Sequence, residues 1–170
     1  MKLWTLVGIP PVISAVSVLA SAEEVLDIPK PETDVQRSES HYAPLDLSRK
    51  IEERGYDFMK VLYRHNLEAI MSTWGSYQHD FEWLQKRVIY GLFLADHSIL
   101  NTVETELVIM SAIMAQGLRA PSFWHVRGLR RLGIGLDVVE RVCEVIRTCG
   151  EWCGKDTKDW VRAHEVEAEV

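Results

Sequence analysis

The chain has 170 residues, 47% apolar and 26% charged, with a formal net charge of −6. That is one domain's worth of sequence, able to bury roughly 70% of the surface its unfolded form exposes. The acidic balance and the lack of a long basic run speak against a nucleic-acid partner.

Residues 1–22 read as a secretory signal peptide. Lys2 supplies a short positive start, Leu3 to Leu19 is uncharged and mostly apolar, and Ala20-Ser21-Ala22 is a small-residue cleavage site followed at once by Glu23 and Glu24. Pro10-Pro11 interrupts the apolar run, which argues against a stable membrane anchor. The expectation is a protein of the secretory pathway whose mature form loses Lys2 and no acid, taking the net charge from −6 to −7. Residues 23–46 contain Pro29, Pro31, Pro44 and few large apolar groups, and read as an extended or disordered arm. The folded domain is expected over 47–170.

Within it, Ile51, Phe58, Leu62, Leu67, Ile70, Met71 and Trp74 recur at helical spacing, as one long or two short helices broken at Gly75-Ser76. Phe81, Leu84, Val88, Leu92 and Ala95 form the next stripe. Asn101 followed by Glu104 is a capping box opening a helix to about Gln116, apolar nearly all round and therefore central. Gly117 stops it, Pro121 at a first helical position starts the next helix, and Gly133 ends that one. Val138, Val142, Val145, Ile146 and Cys149 define a helix to about Trp152, with a short one expected over 159–165. No segment alternates with period two for long. The expected fold is all-α, a single-domain bundle of five or six helices.

Glu106 shares a helix face with Ile109, Met110 and Ile113, where an ionised carboxylate is costly and its pKa should rise. Equally, it lies in the first turn, where a negative charge suits the helix dipole and can reach water. His125 follows nineteen residues later on the next helix, with Ser122 and Gly128 on its own face. The small Gly128 leaves room for a neighbouring helix or a ligand. Arg127, Arg130 and Arg131 cluster as a solvated outer face or as a patch for an anion. Cys143, Cys149 and Cys153 read as core residues of the 138–152 helix, with Cys149 and Cys153 alternatively a redox pair. Trp83, Trp124 and Trp152 fit apolar stripes. No metal-ligand spacing, nucleotide loop or flavin fingerprint occurs, so no metal or cofactor is expected.

The stretch from about Glu53 to Gly154 resembles the carboxymuconolactone decarboxylase family. The resemblance is carried by Arg54-Gly55, Gly91, the Leu100–Leu107 helix start with Glu106, and His125-x-x-Gly128-x-x-x-x-Gly133, with Trp152 and Gly154 near the end. It implies an all-α fold like that of the decarboxylases and of alkylhydroperoxidase D, and a homo-oligomer, trimer or hexamer. The alkylhydroperoxidase D branch uses a C-x-x-C pair, but those positions here are Leu118 and Pro121. The resemblance therefore implies the cofactor-free branch, in which Glu106 and His125 handle protons while CO₂ leaves a small carboxylated, lactone or polyketide-like molecule. Arg119, Arg127 and His97 are the candidate substrate-binding groups, His97 standing near where the decarboxylases carry an arginine. An isomerase or cyclase without CO₂ loss, or a noncatalytic binding or assembly protein, are the alternatives.

Overall fold

The structure is a computed structural model describing residues 2–27 and 49–170. Residues 28–46 of the expected arm, and the first two residues of the expected domain, lie outside the described residues. Among those described, every regular element is helical, so the fold is all-α. The elements are more numerous than the five or six expected, because short 3₁₀ and π segments subdivide the stripes.

The chain begins with α1 (Trp4–Val7) and α2 (Ile9–Val25), which runs through the Ala22–Glu23 junction. Neither they nor any later helix of the described residues is long and apolar enough to cross a membrane. Helix α3 (Arg49–Tyr63) buries Gly55, Phe58, Met59, Leu62 and Tyr63 along one face. A 3₁₀ turn leads to α4 (Leu67–Met71), and the break at Gly75 is a left-handed residue with φ of 53°. Helix α5 (Gln78–Trp83) passes directly into a π-helix over Leu84–Leu94, whose wider turn ends with the Ala95 N–H donating to the Tyr90 carbonyl at 2.7 Å.

Helix α6 (Thr102–Met114) starts as the capping box requires: Asn101 Oδ1 accepts from the Glu104 N–H at 3.0 Å, and Glu104 Oε2 from the Asn101 N–H at 2.8 Å. Helix α7 (Arg119–Arg131) carries Pro121 at its third position, two residues later than expected but still in the first turn, where a missing N–H costs nothing. Gly133, at φ of 88°, follows its end. Helix α8 (Leu136–Trp152) and a 3₁₀ segment over Ala163–Glu169 complete the chain, the latter starting four residues beyond the expected start at 159.

Two apolar clusters meet across α6 and α7. One gathers α3, α4, the π-helix and Ile109; the other holds Met110, Met114, Val126, Leu129, Val139 and the tail residues Trp160, Val161 and Val166. Each fully buried large side chain among these adds roughly 1.5–3 kcal/mol. The tail is a substantial part of the core, well beyond the short helix expected over 159–165.

The α8 register follows the expected stripe only in part. Val142 and Ile146 pack half-buried against the core, but the fully buried positions are Val139, Cys143, Arg147 and Gly150, because the tail packs there and Trp160 occupies the space beside Gly150. Val138, Val145 and Trp152 are consequently exposed. Cys143 is buried as expected, whereas Cys149 and Cys153 lie at the surface, and all three thiols are free. Burial pushes the Cys143 thiol up to about 11, so it stays protonated and serves as a small core group. Trp83 is also exposed rather than packed in a stripe.

Candidate acid–base site

Backbone contact sets the site's dimensions. Helix α3 crosses the π-helix at Gly55 and Gly91, where a Cβ on Gly55 would stand 2.5 Å from the Gly91 nitrogen, and one on Gly91 2.6 Å from the Ile51 carbonyl. The Arg54 guanidinium donates to the Gly91 carbonyl from Nε at 3.0 Å and locks the crossing. Two turns beyond Gly55 comes Tyr63, and beside Gly91 comes Tyr90. Their hydroxyls meet at 2.5 Å.

Glu106, in the second turn of α6, is fully buried. That settles the choice between a buried and a water-reaching carboxylate. His125 on α7 faces it, with Nδ1 at 2.8 Å from Glu106 Oε1, and is itself only 3% exposed. The opposite ring nitrogen, Nε2, lies 3.2 Å from the Tyr63 hydroxyl. Four polar groups thus form one line at the seam of the two apolar clusters: Glu106, His125, Tyr63, Tyr90.

Gly128 makes room for this line. A Cβ there would stand 2.6 Å from Glu106 Oε1, so the space beside His125 is filled by the carboxylate. Glu106 Oε2 is buried without a hydrogen-bond partner. Burial pushes the Glu106 carboxyl above its usual range, and His125 opposes the shift. Burial likewise raises both phenols, strongly for Tyr90, although Tyr63 is pulled the other way by its bond to Tyr90. A carboxyl raised in this way keeps its proton to higher pH than an exposed one and can donate it to the imidazole beside it.

The candidate substrate-binding residues do not converge on this line. Arg119 donates to the Asp159 carbonyl at 2.7 Å and pairs with Glu165 at 2.5 Å. Arg127 is 2% exposed, pairs with Glu169, and has Nε and Nη2 buried without partners. The expected solvated arginine face is instead covered: Arg130 pairs with Glu167, and Arg131 donates to the carbonyls of Tyr63 and Glu169. The alternation Glu165, Glu167, Glu169 with buried Val166 between was the sequence signal for that strap.

His97 lies elsewhere, edge-on to Phe58 at 5.1 Å between ring centroids, with Nδ1 3.2 Å from the Leu100 carbonyl. Its partial burial lowers its pKa. Phe58 and His97, with Arg54 and Asp57, line a surface cavity of about 610 Å³ between α3 and the start of α6. Phe58 also packs against Tyr90, at 6.0 Å between centroids. Phe58 is thus in contact with both the cavity and the Tyr90 ring. The two tyrosines were missed in the sequence, where neither stands in a motif; only their place on helix faces beside Gly55 and Gly91 could have flagged them. Among the described residues, no three His, Cys, Asp or Glu side chains are gathered as a metal would need.

No family profile matches the chain, and no solved structure matches it. A stretch of 73 residues, 43% of the chain, is 30% identical to Peroxisomal protein 2 of Saccharomyces cerevisiae, of which it spans 26%.

Proposed function

We propose that this protein is a carboxymuconolactone decarboxylase-like lyase that works without a cofactor, moving a proton through Glu106 and His125 as CO₂ leaves a small carboxylated or lactone-like acid. The observation that carries this reading is the 2.8 Å contact between a wholly buried carboxyl and a buried imidazole. A purely structural core would pack such a position with apolar groups at lower cost, since a buried ionisable pair stabilises little. The raised Glu106 carboxyl is the proton store, and His125 passes that proton on towards the reacting carbon. Loss of CO₂ leaves a carbanion that must be protonated, which needs one stored proton and a water-poor setting. The same apparatus would serve an isomerase or cyclase; the stored proton fits decarboxylation because its product consumes one.

A noncatalytic role is the second reading, favoured by the burial of both side chains and by the fact that neither lines the 610 Å³ cavity. The deciding experiment incubates the purified protein with β-keto acids and carboxylated lactones and follows CO₂ and product mass. Turnover abolished by Glu106→Gln and by His125→Asn, with helical circular dichroism intact, supports the lyase. Folded protein inert to every acid supports the second reading.

We further propose that residues 1–22 are a cleaved leader and that the protein enters the secretory pathway. A retained N-terminus would give those residues a structural role and favour the compartment named for the yeast relative.

A further inference from the structure

We propose that the group exchanging a proton with substrate is the Tyr90 hydroxyl, at the end of a relay running Glu106, His125, Tyr63, Tyr90, and that His125 never touches substrate. This rests on the acid–base reading above and changes which atom performs it.

The occupancy of each polar atom carries the inference. An imidazole has two polar atoms, and both are taken here, Nδ1 by Glu106 at 2.8 Å and Nε2 by Tyr63 at 3.2 Å. The Tyr63 hydroxyl is engaged on both sides, by His125 and by Tyr90 at 2.5 Å. Tyr90 closes the line with that one bond, so its hydroxyl keeps capacity for a further partner. It is also the member packed against Phe58, the ring that lines the 610 Å³ cavity. Substrate held in that cavity lies against the ring that packs on Tyr90, and a turn of the Phe58 side chain would open the way to the Tyr90 hydroxyl.

The line has two complementary proton arrangements. In the first, protonated Glu106 donates to Nδ1, Nε2–H donates to the Tyr63 oxygen, Tyr63 O–H donates to the Tyr90 oxygen, and the Tyr90 proton points outward. Protonating a carbanion breaks the Tyr90 O–H bond while Tyr63 passes its proton to Tyr90, Nε2 to Tyr63, and Glu106 to Nδ1. Four bonds to hydrogen break and four form. The net result is one proton moved from Glu106 to carbon, with the carboxylate left behind. The second arrangement then has Nδ1–H donating to Glu106 and Tyr63 donating to Nε2. Neither arrangement contains a phenolate, which suits a site where burial raises both phenols.

Two features of the fold serve this geometry. Tyr90 sits within eleven residues of π-helix, a wound-out form that recurs at functional sites. The glycine crossing of α3 and the π-helix fixes how closely the two phenols approach.

The test pairs turnover of β-keto and lactone acids with ring-¹⁵N spectra of His125. Tyr90→Phe keeps the ring and the Tyr63–His125 bond, and should lower CO₂ release and deuterium uptake from D₂O ~10²-fold or more. Its His125 spectrum and thermal unfolding should match wild type. Tyr63→Phe should lose rate similarly and shift the Nε2 resonance. Wild-type rates in Tyr90→Phe, beside inactive Glu106→Gln and His125→Asn, overturn the relay and leave the lyase standing. An unmoved Nε2 resonance in Tyr63→Phe also overturns the relay. Inert wild-type protein removes the lyase and the relay with it.

Discussion

Gly128 and Glu106 share one space: a Cβ added to Gly128 would stand 2.6 Å from Glu106 Oε1 and 3.4 Å from Leu62 Cδ2. In an open helix Gly128→Ala would gain about 1 kcal/mol. Here the carboxyl must move instead, and overpacking of this kind costs about 1–3 kcal/mol. The expected outcome is a protein no more stable than wild type, whose His125 Nδ1 resonance shifts and whose turnover falls. Thermal unfolding and ring-¹⁵N spectra check it; a stabilised variant with an unchanged Nδ1 would contradict the packing.

Glu106 sets a pH dependence of stability. Its folded pKa is raised above 4.5 by burial, so the folded state holds the proton more tightly than the unfolded one. The stability that this contributes is present below 4.5 and is lost as pH rises through the folded value. Glu106→Gln stays neutral throughout. Its melting temperature relative to wild type should therefore climb as pH increases from 4.5 to neutrality. A flat difference across that range would sink the assignment.

Glu140 behaves in the opposite sense. Burial pushes its carboxyl up, but the Ala163 N–H at 2.6 Å and Arg147 at 3.0 Å more than offset this and hold it below 4.5. Its contribution is present above 4.5 and vanishes as pH falls through the folded value. Because Glu140 ties α8 to the start of the tail, acid should release the tail first. Hydrogen exchange at pH 3–4 is expected to expose amides of Ala163–Glu169 before those of α6, and Glu140→Gln should do so at neutral pH.

Gly55→Ala tests the crossing. The new methyl would meet backbone of the π-helix, which cannot swing aside as a side chain can. The loss should reach or exceed ~3 kcal/mol in denaturant unfolding. A near-neutral result would mean that α3 and the π-helix are not in backbone contact.

The N-terminus and assembly give a fifth prediction. The Lys2 ammonium donates to the carbonyls of Leu94 at 2.6 Å and Asp96 at 2.7 Å, and Trp4 stacks edge-on to Phe93. Removal of residues 1–22 would uncover the half-buried face of α6 at Leu107 and Val108 beside them. N-terminal sequencing is expected to read from Glu23, and light scattering of that mature form to give a homo-oligomer, trimer or hexamer. A start before Lys2 combined with a monomer would defeat both expectations.

Local chemistry made much of the fold legible in the sequence. The Asn101–Glu104 box, Gly117, Gly133 and the 3.6-residue stripes act over one or two turns, so α6 and α7 were bounded nearly correctly, and the spacing of Glu106 and His125 placed them on adjoining helices. Other features are decided between elements distant in the chain. Whether Glu106 faces core or water depends on α7 bringing Gly128 against it. Which α8 residues point inward depends on Trp160, and which arginines are solvated depends on a tail whose charges alternate like a surface segment. The phenols of Tyr63 and Tyr90 join across 27 residues of sequence because two glycines let two backbones touch. Periodicity reports which side of a helix is apolar, but only packing decides what lies against that side, and so which polar atoms meet there.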